Sequence, residues 1–329
     1  MVRGDGVAAA CCARSLSPAA VELSVIMTAR PKLSAVLLNA ATQSLLTDLF
    51  ADRGLFQGLP QIRKRIVAWG GASEPVVLPH SAVVISEQLL LERLWARVPP
   101  PVEAARTTPM WEIISTRPET GSSEERHFGS RIAFVGQAHL RESADRTACW
   151  SEALADGWLF LFPVDAVSAC LIAVGGPAPS LIAQSRLIAS QVEMPITSTV
   201  EFPAYPRILA ELCGSGWLAC GTAAMAFDPL CGEGVANAVR EAILASAVVR
   251  AALQGHEVDS LLSHYSSRLL RGFLRHLEVC EHFYTIGGRG QFWSSEVHLL
   301  QQGIGWLRER LSTQPLPRYR LAGFDLQPI

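Results

Sequence analysis

Apolar positions along the 329-residue chain change period several times, and each change marks an element. A small-residue turn, Gly4-Asp5-Gly6-Val7-Ala8-Ala9, opens a predicted helix over Ala8 to Leu16. An apolar strand, Leu23-Ser24-Val25-Ile26-Met27, follows. Ala40 to Phe50 places Leu45, Leu46, Leu49 and Phe50 on one side of an amphipathic helix. Ile62 to Trp69, partly alternating, and Val76 to Ile85, richly apolar, predict strands, and Glu87 to Val98 predicts a helix stopped by Pro99-Pro100-Pro101. From Trp111 to Val174 the segments WEIIS, SRIAFVGQ, ACWSEAL, GWLFLFP and ACLIAVG follow in series. Turn-rich stretches at Arg117 to Ser123 and Ala155-Asp156-Gly157 separate them, and the series predicts an antiparallel lobe. Helical spacing returns at Ser180 to Gln191. After Phe202-Pro203-Ala204-Tyr205-Pro206, a strand (WLACG, to Gly221) passes through a Gly/Pro turn into a long Ala-rich helix reaching Leu253. Val258 to Leu311 is mostly helical, with a last helix over Phe292 to Leu311.

Composition narrows the class. Hydrophobic residues make up 49% and charged residues 18%, enough apolar material for one large or two interlocked domains and too much for disorder. A formal net charge of −2 argues against nucleic acid as the main ligand, because phosphate binding needs a basic surplus or a basic stripe. No apolar run approaches the roughly 20 residues of a membrane span. The eight cysteines (11, 12, 149, 170, 213, 220, 231 and 280) form no CxxC, and no His pair stands at zinc spacing. No metal site is predicted; the thiols are expected to be reduced core residues of a cytoplasmic protein. The opening MVRGDGVAAACCA has a short apolar stretch and carries Asp5 where a signal peptide needs positive charge. Only Met1-Val2-Arg3 precede Gly4, the short strand that a start lying upstream would leave.

Two glycine turns carry the candidate chemistry. Gly4, Gly6 and Ala9 spell GxGxxA: the first two allow a tight turn and close approach of a pyrophosphate, and the small third residue lets helix and strand pack closely. Some 210 residues later comes GTAAMAFDPLCGEGV, residues 221–235. This segment resembles the second flavin-binding motif of the FAD-dependent oxidoreductases with the p-hydroxybenzoate hydroxylase fold, among them aromatic hydroxylases, geranylgeranyl reductases and flavin-dependent halogenases. Their usual form is GDAAH or GDAAG, then Pro, then a G[QE]G turn into a helix. The resemblance implies bound FAD in an α/β fold: a Rossmann-like FAD-binding domain, an inserted antiparallel-sheet substrate lobe and C-terminal helices. It would divide the chain into 1–40, 76–100 and 207–255 for FAD, 41–75 and 101–206 for the substrate lobe, and a helical 256–329. Gly221, Thr222, Asp228 and Pro229 would carry the ribityl chain and pyrophosphate. Gly232, Gly234 and Val235 would set backbone against the pyrimidine edge of the flavin. Arg30-Pro31-Lys32 is similar to the R-x-x-K-x-G-E stretch of these enzymes, with Lys32 as its lysine and the G-E missing.

This chain departs from the pattern at three places. Thr222 replaces the usual aspartate, no acidic residue follows the second strand, and no D-G motif stands mid-chain. Weaker FAD retention is the consequence, and a non-catalytic scaffold with a decayed FAD site is the limiting case. Trp158-Leu159-Phe160-Leu161-Phe162-Pro163 looks like a degraded W-x-W-x-I-P of the halogenases. Trp158, Phe160 and Phe162 share a strand face, as core or as an aromatic wall of the substrate lobe. A halogenase needs a lysine near Lys64, but Arg63 and Arg65 flank it, and Cys231-Gly232-Glu233-Gly234 replaces the halide-associated S-S-G. Arg207, His80 and Tyr205 are candidate acid–base or steering residues, and Cys231 at a helix start is either an activated thiol or an inert one. The reading is an FAD-dependent oxidoreductase of monooxygenase type acting on an organic substrate, aromatic or peptide-borne. NAD(P)H bound transiently, or a separate flavin reductase, would supply electrons. Its alternatives on the same scaffold are a halogenase, a dehydrogenase or reductase, and a protein-modifying flavoprotein of quinone cofactor maturation.

Overall fold

A computed structural model describes residues 1–17, 22–28, 32–71, 74–100, 108–117 and 124–329, with backbone alone for 194–199. Arg30 and Pro31 of the predicted lysine stretch, Pro101, and the turn residues after Arg117 up to 123 lie outside the described residues. Two sheets organise the chain. The smaller has five short strands in the spatial order Cys213–Gly214, Trp217–Ala219, Glu112–Ile114, Val2–Arg3 and Val25–Ile26, parallel except at the first pair. Its central residues Val2, Ile113 and Leu218 are at most 1% exposed, because helices cover the sheet.

Helix α1 (Val7–Leu16) is nearly all Ala and Cys where it is buried, so its backbone approaches α6 (Gly234–Leu253) closely. The Cys12 thiol donates to the Ala242 carbonyl at 3.7 Å across that contact. Helix α2 (Ala40–Phe50) begins where the Asn39 side chain accepts the Thr42 N–H, and α3 (Glu87–Trp95) where the Ser86 hydroxyl accepts that of Leu89. The bound on α2 is the predicted one; α3 stops three residues early, in a turn.

The larger sheet has eight strands, in the order Val192–Pro203, Ile132–Leu140, Ser168–Val174, Gly157–Pro163, Ala148–Leu154, Gln61–Ala68, Val76–Ile85 and Val36–Asn39. Every pairing is antiparallel except Ala148–Leu154 with Gln61–Ala68. Three corrections to the predicted layout follow. WEIIS is not a strand of the antiparallel series: Glu112–Ile114 sits inside the parallel sheet, where Ile113 is covered on both faces and Arg3 Nε bonds Glu112 at 2.8 Å. Val76–Ile85 belongs to the larger sheet, because Gly70 and Gly71, both at positive φ, fold it back on Gln61–Ala68 as a hairpin. Val36–Asn39 joins it at the edge, so segment 1–40 is split between the two sheets, and segment 76–100 gives its one strand to the larger.

The helix predicted over Ser180 to Gln191 shrinks to α4 (Ala178–Ile182). The buried Glu152 carboxylate accepts the N–H groups of Arg186, Leu187 and Ile188 at 2.9–3.1 Å and draws the chain out of the helix into turns. After a one-turn α5 (Gly221–Ala224) and α6 come α7 (Val258–Gly287) and α8 (Gln291–Ser312), packed on each other. The C-terminal region is not wholly helical: Tyr319–Ala322 and Asp325–Pro328 form a hairpin around Gly323 (φ +60°), docked on α6. Among the described residues no helix is long and apolar enough to cross a membrane.

Candidate functional site

The two glycine turns meet in space. Gly4 has φ +132°, donates to the Ile26 carbonyl at 2.8 Å, and leaves no room for a side chain: a Cβ would lie 2.3 Å from Ser115 Oγ. Gly6 caps α1 with no side-chain hydrogen bond, and Ala9 is fully buried beneath. Gly221 has φ +55°, and a Cβ on it would stand 2.8 Å from Cβ of Ala8, so the second turn rests directly on α1. At the other end of that turn Gly232 (φ +63°) and Gly234 are exposed, with nothing within 4 Å of the place a Cβ would take. The 20-residue α6 starts here, and its N-cap, Glu233, makes no side-chain cap. Two helix N-termini, each with uncapped N–H groups and the positive end of a dipole, thus open beside glycines.

These features fit FAD: α1 for the phosphates, and exposed backbone bare of side chains at Gly232 and Gly234 for a flat ring. Other residues fit it less well. Thr222 is exposed and its hydroxyl donates to the Ser115 carbonyl at 3.3 Å. Lys32 forms an ion pair with Asp5 in the first turn, and Asp5 also offers its carbonyl to Trp95 Nε1 at 3.0 Å. Met27 and Thr28 follow the second strand, where an acidic residue would hold a ribose.

Several candidates are engaged by partners within the fold. The motif places Asp228 at the cofactor, but its carboxylate is fully buried, 2.6 Å from Arg131 Nε, and accepts the Tyr284 hydroxyl (3.0 Å) and the Leu230 N–H (2.8 Å). Arg131 also pairs with Glu296, and Trp158 Nε1 donates to Tyr284 at 3.0 Å. Asp228 therefore anchors the short turn Pro229–Cys231 from inside, and Trp158 caps its partner. Phe160 stacks beneath Arg65 (5.4 Å to the guanidinium carbon), and Phe162 is buried in a separate cluster with Ile62 and Val84. Arg207 is buried, donating to Glu125 at 3.1 Å and to the Thr222 carbonyl at 2.5 Å, so it braces α5. Tyr205 stands edge-on to His127 at 5.2 Å. His80, whose pKa burial and Arg65 depress, is half-buried on its strand. Lys64 pairs with Asp145 at 2.6 Å, holding that carboxyl down at about 2. Strand alternation turns Arg65, Val67 and Trp69 to the opposite face.

That face lines a cavity of about 980 Å³ between the larger sheet, α6, α7 and the C-terminal hairpin. It touches the second turn through Cys231 and Glu233 and continues along α6 past Asn237 and Glu241. Glu241 accepts the Gly221 N–H at 2.6 Å, and burial raises its pKa to about 8. Next to Cys231 lie His276 and Cys280, with donor atoms all within 4.8 Å. The sequence contains a signal for this, His-x-x-x-Cys on one helix face, which the search for CxxC passes over. His276 Nε2 accepts the Asp228 N–H at 2.9 Å, so its lone pair is taken and the cluster is a thiol–imidazole network. The Cys280 and His276 hydrogen bonds lower the Cys231 pKa below that of an ordinary thiol.

No protein-family model matches the sequence, and no curated protein matches it. Solved structures do match in three dimensions. The peptidyl tryptophan dihydroxylase QhpG, essential for tryptophylquinone cofactor biogenesis, superposes with a TM-score of 0.72 at 18% identity, over 90% of this chain and 77% of that one. The myxobacterial chondrochloren halogenase CndH, a variant of the FAD-dependent halogenases, gives 0.74 at 16%, over 95% and 90%. HpxO of Klebsiella pneumoniae, solved with FAD and uric acid, gives 0.66 at 14%, over 96% and 97%. The chain therefore has the fold of the p-hydroxybenzoate hydroxylase-like flavoproteins.

Proposed function

We propose that the chain is a cytoplasmic FAD-dependent oxidoreductase of monooxygenase type, acting on an organic substrate held in the large cavity. One observation carries this reading: the exposed, uncapped start of α6 at Gly234 adjoins that cavity through Cys231 and Glu233. The eight free thiols support a reducing compartment. We assign the cofactor to the parallel sheet with α1 and α6, and the substrate to the larger sheet with α7. Gly4, Gly6 and Ala9 hold the phosphates at the start of α1, with Lys32 the cation beside them. Gly221 and Thr222 carry the ribityl chain, and Pro229, Gly232, Gly234 and Val235 present backbone to the ring. Bound FAD supplies two-electron chemistry and, once reduced, reaction with O₂.

The chain's own part is to hold the ring still, orient the substrate over it and exclude water. The cavity-facing Cys231, next to His276 and Cys280, replaces Arg207, His80 and Tyr205 as the candidate to move a proton there. Halogenation is disfavoured, since Lys64 faces Asp145 and not the cavity. QhpG acts on a peptidyl tryptophan, and a cavity of about 980 Å³ also admits a peptide-borne aromatic ring. Electrons come from NAD(P)H bound transiently or from a separate reductase.

The test is the absorbance of protein desalted after incubation with FAD. Flavin co-elutes at close to one per chain, and Gly234→Trp, whose side chain enters open space without disturbing the fold, abolishes it. A folded wild-type protein without flavin overturns the reading and leaves a scaffold.

A further inference from the structure

One stripe of α7 lines the cavity, at spacings of three and four: Arg268, Arg271, Arg275, Val279, Phe283 and Ile286. Its two halves differ in chemistry. The three arginines are exposed, and none has a carboxylate partner among the described residues; Arg271 Nε reaches only the Ser267 hydroxyl at 3.3 Å. Like charges stacked at i, i+3 and i+7 weaken a helix, and no fold contact compensates them here. The apolar half stays open to the cavity: Val279, Phe283 and Ile286 remain 39–45% exposed, and Leu78 across the cavity is 45% exposed.

The carboxylates of the same cavity do not balance the arginines. Glu233 pairs with Arg240 at 3.1 Å, and Glu241 is committed to Gly221. A helix rises about 1.5 Å per residue, so Arg275 and Phe283 stand about 12 Å apart along α7. We propose that the cavity binds an amphipathic organic anion about that long, its apolar body against Trp69, Leu78, Phe283 and Ile286 and its anionic head on Arg268, Arg271 and Arg275. This deepens, and rests on, the reading of the cavity as a flavoenzyme's substrate site. The arginine fork suits carboxylate, sulfonate and phosphate oxygens alike, so the head group is set by charge and the body by area.

Anilinonaphthalene sulfonate and its uncharged parent, N-phenylnaphthylamine, differ only in the anion and serve as probes. Each is titrated by fluorescence into the protein with and without FAD. Wild type takes the sulfonate at one per chain, at least about ten-fold more tightly than the neutral probe. Arg268→Gln/Arg271→Gln/Arg275→Gln, exposed substitutions that leave the core intact, erases that preference and leaves the neutral probe bound. Phe283→Ala weakens both probes together. Equal affinity of wild type for the two probes, or a preference that survives the triple substitution, overturns the proposal. Sulfonate preference in protein that takes up no FAD keeps the anion site and discards the flavin reading.

Discussion

Glu241 holds a proton that a solvated carboxyl would give up. Burial raises its pKa to about 8, offset only in part by the Gly221 N–H. Between its ordinary value of 4.5 and about 8 the folded chain keeps a proton that the unfolded chain releases, so stability falls as pH rises through that window. Glu241→Gln keeps an acceptor for Gly221 and removes the charge. Urea midpoints from pH 5 to 9 should decline for wild type and stay level for the variant, which gains on the order of a few kcal/mol by pH 9. Matching slopes would mean that Glu241 titrates as a solvated group. Neighbouring residues show how far single positions are legible. The lysine a halogenase would need is present at Lys64, but alternation gives the cavity to Arg65, one position on. Asp228 reads as a motif residue; its partner Arg131, 97 positions away, belongs to no motif.

Elements bounded by their own caps are legible in the sequence: α2 begins at the Asn39 cap and α6 at the Gly232–Gly234 turn, both local signals. Helix α4 is shorter than its local pattern implies because its competitor, the Glu152 carboxylate, comes from a distant strand. The same distinction governs how elements are joined. Arg131, leading into strand Ile132–Leu140, ties the turn at Asp228 to α8 at Glu296 and lies 4.6 Å from the Tyr284 ring of α7. Arg131→Met leaves two carboxylates buried without their cation, and chemical denaturation should show a loss of about 3–5 kcal/mol. Adding Asp228→Asn and Glu296→Gln should return part of it. A single-substitution loss below about 1 kcal/mol would mean that water reaches the carboxylates.

On the scale of the molecule, the parallel and larger sheets share one core. Val2 and Ile113 of the first and Val83, Ile85 and Trp158 of the second fall in a single buried cluster with α1, α6, α7 and α8. Unfolding should therefore be one transition, with far-ultraviolet dichroism and tryptophan fluorescence coincident in urea. Two resolved transitions would mean that the cofactor and substrate sides fold separately. The sequence by itself determined most of the helices and strands, the two glycine turns and the fold class they imply, because period, capping and backbone freedom are local and each acts within a few residues. Tertiary structure alone decided that residues 112–114 enter the parallel sheet, that Asp228 turns inward to Arg131, and that Arg268, Arg271 and Arg275 share a cavity with Trp69 and Leu78. Those outcomes depend on which distant faces meet and exclude water, and no local period in the chain records that choice.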